Sequence, residues 1–140
     1  MKKNSTKKAF TIIELMVVIT IIAILASLVA PKFMGKLESA KVDTTKAQIK
    51  MFSTALDSFN LDVGRYPSDS EGLKVLWTKS KDIRGYDGLY LDKAVDLDAW
   101  GTPYVYKTTS GDHGFDIISY GKDKKEGGKD KNADISLWDN

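Results

Sequence analysis

One unbroken apolar run limits what this 140-residue chain can become. Residues 10–30 read FTIIELMVVITIIAILASLVA, and Glu14 is their only charged side chain. As a helix, about 21 residues span about 32 Å, which matches a hydrocarbon core of roughly 30 Å. Lys2, Lys3, Lys7 and Lys8 precede the run with no acid among them. Basic flanks stay on the cytoplasmic side, so the orientation rule places everything after the run beyond the membrane.

Three readings of this segment compete. A cleaved secretory signal needs small residues after the apolar stretch; Ala26, Ser27 and Ala30 supply a weak version. A plain anchor needs only hydrophobicity. Neither accounts for Glu14, because a lone carboxylate in a bilayer is costly unless it finds a partner or snorkels to the headgroups. The third reading treats Glu14 as an assembly residue, and it depends on a resemblance described below.

Beyond the run, Pro31 removes a helix hydrogen bond and Gly35 weakens the next turn. Ile49, Phe52, Leu56, Phe59 and Val63 then recur at spacings of 3, 4, 3 and 4. That period predicts a helix with one buried face, continuing past a kink or local melting at Pro31 and stopping at Gly64. Residues 67–97 read as loops with one short helix around 71–77. Strands are expected at 103–108 and 115–120, joined by the turn 109–114, with a short third strand within 133–138. The fold class expected is α+β: a long N-terminal helix with a small antiparallel sheet packed on its distal half.

Several function classes drop out. With no cysteine there is neither a disulfide framework nor a thiolate metal site. A net charge of +2, with acids and bases mixed through the polar part, gives no case for nucleic acid. His113 is the only histidine and reads as a turn residue. No phosphate-binding glycine loop or nucleophile elbow is present, and no carboxylate pair suggests acid–base work. An enzyme is not expected.

The stretch KKAFTIIELMVVITIIAILASLVAP resembles the N-terminus of type IV pilins and type II secretion pseudopilins. The resemblance implies that a prepilin peptidase cuts between Ala9 and Phe10 and that Phe10 is then N-methylated. The family usually has glycine before the cut, and Ala9 is the smallest alternative. Phe10, Glu14 and Pro31 become assembly residues: the amine of one subunit's Phe10 lies by the Glu14 carboxylate of a neighbour. The segments GRYP, EGL, DAWGTPYVY, HGFDIISYGKD and ADISLW follow in the order found in the major pseudopilins of type II secretion. Ala99 departs from the proline common there.

The organisation implied is a cleaved basic leader over 1–9, an apolar membrane and assembly helix over 10–30, and a periplasmic domain over 31–140. The implied protein sits in a bacterial inner membrane with a single pass. Its partners are copies of itself, other pseudopilins, an inner-membrane assembly platform, the prepilin peptidase and membrane lipid. Its task is a short periplasmic pseudopilus whose growth helps drive folded exoproteins across the outer membrane. Two alternatives stay open: a type IV pilin forming a surface fibre, and an anchored binding module that never assembles.

Residues 120–136 carry oxygen donors among glycines, but their spacing is not that of an EF-hand, and interspersed lysines favour a solvated loop. The resemblance weights a metal site instead. It implies calcium held by the Tyr120 carbonyl, Asp123 and Asp134, with Asp130 standing in for a second aspartate that some members have where Asn132 and Ala133 stand here.

Overall fold

The computed structural model describes residues 9–139; the rest of the expected leader, residues 1–8, lies outside them. The chain divides into two compact units, residues 1–38 and 39–140. One helix, α1 (Ile12–Val63), supplies nearly all of the first unit's described residues and the opening of the second. Pro31 lies inside it, and the helical backbone continues through Pro31 and Gly35 without interruption. The continuing helix is therefore as expected, while local melting at Pro31 does not occur. The pyrrolidine ring removes one donor, but the flanking residues are good enough helix formers to hold the next turn.

In the first unit the large apolar side chains of α1 are exposed on all sides. In the second, Ile49, Phe52, Ala55, Leu56 and Phe59 form the buried stripe that the spacing predicts, with Val63 partly buried beside it. Gly64 closes the helix at φ +80°, a conformation that glycine adopts without steric cost, and its N–H donates to the Asn60 carbonyl at 2.8 Å.

The sheet has three antiparallel strands in the order β1 (Val105–Thr108), β2 (Phe115–Ser119), β3 (Ile135–Ser136). The hairpin pairs Val105 with Ile118 and Thr108 with Phe115. Central β2 alternates buried and half-buried positions, so Phe115, Ile117 and Ser119 face inward. All three strands are shorter than their sequence signals. Pro103 has no N–H to give a ladder, and it makes only an isolated bridge to Leu97. The short helix reduces to a 3-10 turn, Leu73–Leu76, with Leu73, Val75 and Leu76 buried.

The irregular segment 78–104 packs over the core through its aromatics. Tyr86 and Tyr90 meet Phe59 edge-on at centroid distances of 6.2 and 5.6 Å, and Tyr104 meets Phe52 at 5.1 Å. Where the chain leaves α1, the Arg65 guanidinium grips Glu71 through two hydrogen bonds of 2.7 and 2.8 Å and holds that carboxyl at about 2.

Phe52 has no exposed surface, whereas Leu61 on the same helix is 85% exposed. Phe52→Ala is expected to cost about 3–5 kcal/mol of unfolding free energy. Leu61→Ala should stay within about 0.5 kcal/mol of wild type. Urea titration of the full chain in detergent micelles, followed by circular dichroism, measures both.

Candidate functional site

Two regions carry the residues singled out above. In the first, Ala9, Phe10 and Thr11 precede α1 in non-helical backbone, and Phe10 is 80% exposed. Thr11 caps the helix: its Oγ1 accepts from the Glu14 N–H at 3.2 Å, and its carbonyl accepts from the Leu15 N–H at 3.1 Å. Thr11-Ile12-Ile13-Glu14 is thus a capping-box sequence, a signal that the sequence reading passed over. Glu14 falls in the first turn, where the helix dipole favours a negative charge. Every large apolar side chain from Phe10 to Val29 is exposed, and the helix is long and apolar enough to cross a membrane. A contiguous apolar surface of that extent is not tolerated in water.

The second region is the C-terminal loop. Asp123 ends the 3-10 turn Gly121–Asp123, and its Oδ1 accepts from the Lys125 N–H at 3.2 Å. Asp130 opens a second 3-10 turn, Asp130–Asn132, with φ at +54°, a strained value for a side chain other than glycine. Asp134 Oδ2 accepts from the Gly127 N–H at 2.8 Å, while its Oδ1 is buried with no hydrogen-bond partner. Gly128, at φ +103°, passes so close to the Asn132 carbonyl that a Cβ there would lie 2.1 Å from the oxygen. Glycine is required at that approach.

Asp130 and Asp134 border one hollow of about 220 Å³, together with Gly121, Ala133 and Lys46. Tyr120 and Asp123 do not line it. Among the described residues no three His, Asp or Glu side chains cluster closely enough to hold a metal alone. The orphaned Asp134 oxygen fits a hard cation, because an unpaired buried carboxylate oxygen otherwise costs free energy. Completing a coordination shell there requires main-chain carbonyls as well as the aspartates.

Behind this loop lies a group that sequence reasoning missed. Asp98 is buried, and its carboxylate takes hydrogen bonds from the turn that follows it and from Ser119 at the end of β2. The Ala99 N–H reaches Thr45 Oγ1 on α1 at 3.5 Å. An aspartate three residues before a glycine is a turn signal, but nothing local names Ser119 or Thr45 as its neighbours. His113 lies in the β1–β2 turn and stacks on Trp138 with ring centroids 3.7 Å apart.

Comparison with known proteins follows the same division of the chain. The family model described as "Type II secretion system (T2SS), protein G" matches residues 32–138. The model described as "Prokaryotic N-terminal methylation motif" matches residues 4–30. The type II secretion system core protein G of Pseudomonas aeruginosa is 41% identical over 96% of each chain. That of Vibrio cholerae serotype O1 is 39% identical over 99% of this chain and 96% of its own. The crystal structure of the major pseudopilin from the type 2 secretion system of enterohaemorrhagic Escherichia coli is also similar. It superposes with a TM-score of 0.62 at 27% identity, covering 75% of this chain and 92% of that one.

Proposed function

The chain belongs to the type II secretion system protein G family, and we infer from this that it is a structural subunit of a pseudopilus that helps drive folded exoproteins across the outer membrane. The observation that carries the assembly reading is the first half of α1, apolar and exposed along its whole length. One bilayer covers that surface before assembly, and neighbouring helices cover it afterwards. The anchor is a single pass, with residues 1–9 cytoplasmic and 31–140 in the periplasm, as the lysine bias dictates. The prepilin peptidase cuts between Ala9 and Phe10, and Phe10 is N-methylated. The partners are further copies, other pseudopilins and the inner-membrane assembly platform. The role is structural rather than enzymatic.

In this reading the Phe10 amine of one subunit pairs with Glu14 of its neighbour. An apolar surrounding strengthens that attraction and makes either charge alone costly, so the pair acts on register and recruitment more than on net stability. Pro31 removes one helix hydrogen bond at the end of the apolar run, the point where a filament helix can adjust.

Calcium completes the proposal. The Tyr120 carbonyl, Asp123, Asp130 and Asp134 would hold it, and the support is the buried, unpartnered Asp134 Oδ1. When bound, the ion supplies positive charge that draws several oxygens to one point. This chain's own part is to present them. The glycines at 127 and 128 let the backbone turn, and Asp134 leads directly into β3, which ties the loop to the sheet.

Mass spectrometry of membrane extract should find a mature chain beginning at methylated Phe10; a terminus near Pro31 or Lys32 would indicate a secretory signal instead. In a strain deleted for this chain, wild type should restore exoprotein secretion. Glu14→Ala should insert in the membrane yet fail to restore secretion or to cross-link between helices, and wild-type behaviour from it rejects the assembly role. The full chain in micelles should melt higher in millimolar calcium than in chelator, by about 2.7 kcal/mol of stability at a hundredfold excess over Kd. Asp123→Ala and Asp134→Ala should each remove most of that difference; equal melting of wild type in both conditions rejects the metal.

A further inference from the structure

Asp98 is the only acid among the described residues to be buried, at 6% exposure. Acidic side chains go inside only where their oxygens find donors. Asp98 Oδ1 accepts from the Trp100 N–H at 3.0 Å and the Thr102 N–H at 2.9 Å, and these bonds close its own turn. Its Oδ2 accepts from the Ser119 hydroxyl at 2.5 Å, across 21 residues of sequence. Ser119 Oγ, with its proton committed to Asp98, turns its lone pairs outward and accepts from the Gly121 N–H at 3.1 Å.

That last bond has a geometric consequence. The Gly121 N–H and the Tyr120 carbonyl belong to one planar peptide, which is trans. In a trans peptide the N–H and C=O point in opposite directions. Fixing the N–H against Ser119 therefore fixes the Tyr120 carbonyl to point away from it. The same peptide opens the 3-10 turn that ends in Asp123. On the other side, the Ala99 N–H to Thr45 Oγ1 contact ties the Asp98 turn to α1. The Asp98–Ala99 backbone thus touches the helix, while the hydrogen bonds of the Asp98 and Ser119 side chains reach the peptide that begins the loop.

We infer that Asp98 is a positioning residue for the C-terminal loop: acting through Ser119, it orients the Tyr120–Gly121 peptide and so aims the Tyr120 carbonyl and the turn carrying Asp123. Asp98 is not itself a ligand. The consequence for calcium rests on the metal reading above, whereas the orientation of the peptide does not. Outer residues that orient metal ligands commonly alter affinity by about 10–100-fold when replaced.

Two variants separate this role from general support of the fold. Asp98→Asn keeps an oxygen for the Trp100 and Thr102 amides but presents a donor to Ser119. Ser119→Ala keeps Asp98 and removes the link. In the full chain in micelles with chelator, hydrogen exchange at the Gly121 amide should rise about tenfold or more in both variants. The amides paired between β1 and β2 should keep their wild-type rates. An unchanged Gly121 rate, or an equal rise across the sheet, overturns the inference. Isothermal titration with calcium chloride should show each variant binding about 10–100-fold more weakly. The double variant should be no weaker than the weaker single, because both changes break one link. If wild type binds calcium and the variants bind it equally well, the inference fails. If wild type binds none, the metal reading fails, and the exchange comparison in chelator alone decides the role of Asp98.

Discussion

Everything in the second unit depends on the burial of one face of α1. A three-stranded sheet whose last strand is two residues long has too little surface to stand alone. It becomes stable by laying Phe115, Ile117 and Ile135 into a core with Ile49, Phe52, Leu56 and Phe59. The segment between helix and sheet adds little regular structure beyond the 3-10 turn Leu73–Leu76, so its backbone needs other ties. Tyrosines supply them. The Tyr86 hydroxyl lies 3.0 Å from both the Val75 and the Thr78 carbonyls and shares its one proton between them, Tyr106 donates to the Pro67 carbonyl, Tyr90 to Asp62 and Tyr104 to Gln48. Burial and the nearby Asp62 push the Tyr90 hydroxyl up to about 12, so it stays a donor through the neutral range. In a chain without cysteine, these hydroxyl ties hold the loops with no disulfide to do so.

The same helix obeys two different rules along its length. From Ile12 to Val29 nearly every position is apolar and the surface is apolar all round, which suits lipid or a ring of like helices. From Thr45 onward one stripe is apolar and the rest polar, which suits a core on one side and water on the other. Pro31, Lys32, Gly35 and Lys36 fall between these stretches. The boundary between the two compact units lies just after them, at Glu38 and Ser39.

The parts of this design that were legible in the sequence are those set by local period. The stripe from Ile49 to Phe59 shows because its spacing follows the helical turn, and β1 and β2 show because aromatic and β-branched residues cluster between turn residues. The strands' true lengths did not show, since Pro103 limits pairing at one end and the partner strand limits it at the other. The residues proposed for processing and for calcium came from family likeness, and of those aspartates only Asp130 and Asp134 border one hollow. Asp98 was hidden for a different reason. Its meaning lies in contacts with Ser119 and, through Ala99, with Thr45, positions 21 and 54 residues distant from their partners, and no periodicity encodes such a meeting.

The Thr11 cap has a bearing on the proposed cut between Ala9 and Phe10. By satisfying the Glu14 amide, it starts the helix at Ile12 and leaves the Ala9–Phe10 bond in non-helical backbone. Peptidases bind an opened-out chain, and nicking concentrates where the backbone is not tied into secondary structure. An enzyme cutting between Ala9 and Phe10 therefore meets a scissile bond that is already accessible and unwinds no turn to reach it. The cap also sets where the rod begins: two residues beyond the proposed cut, at Ile12, the backbone is already helical.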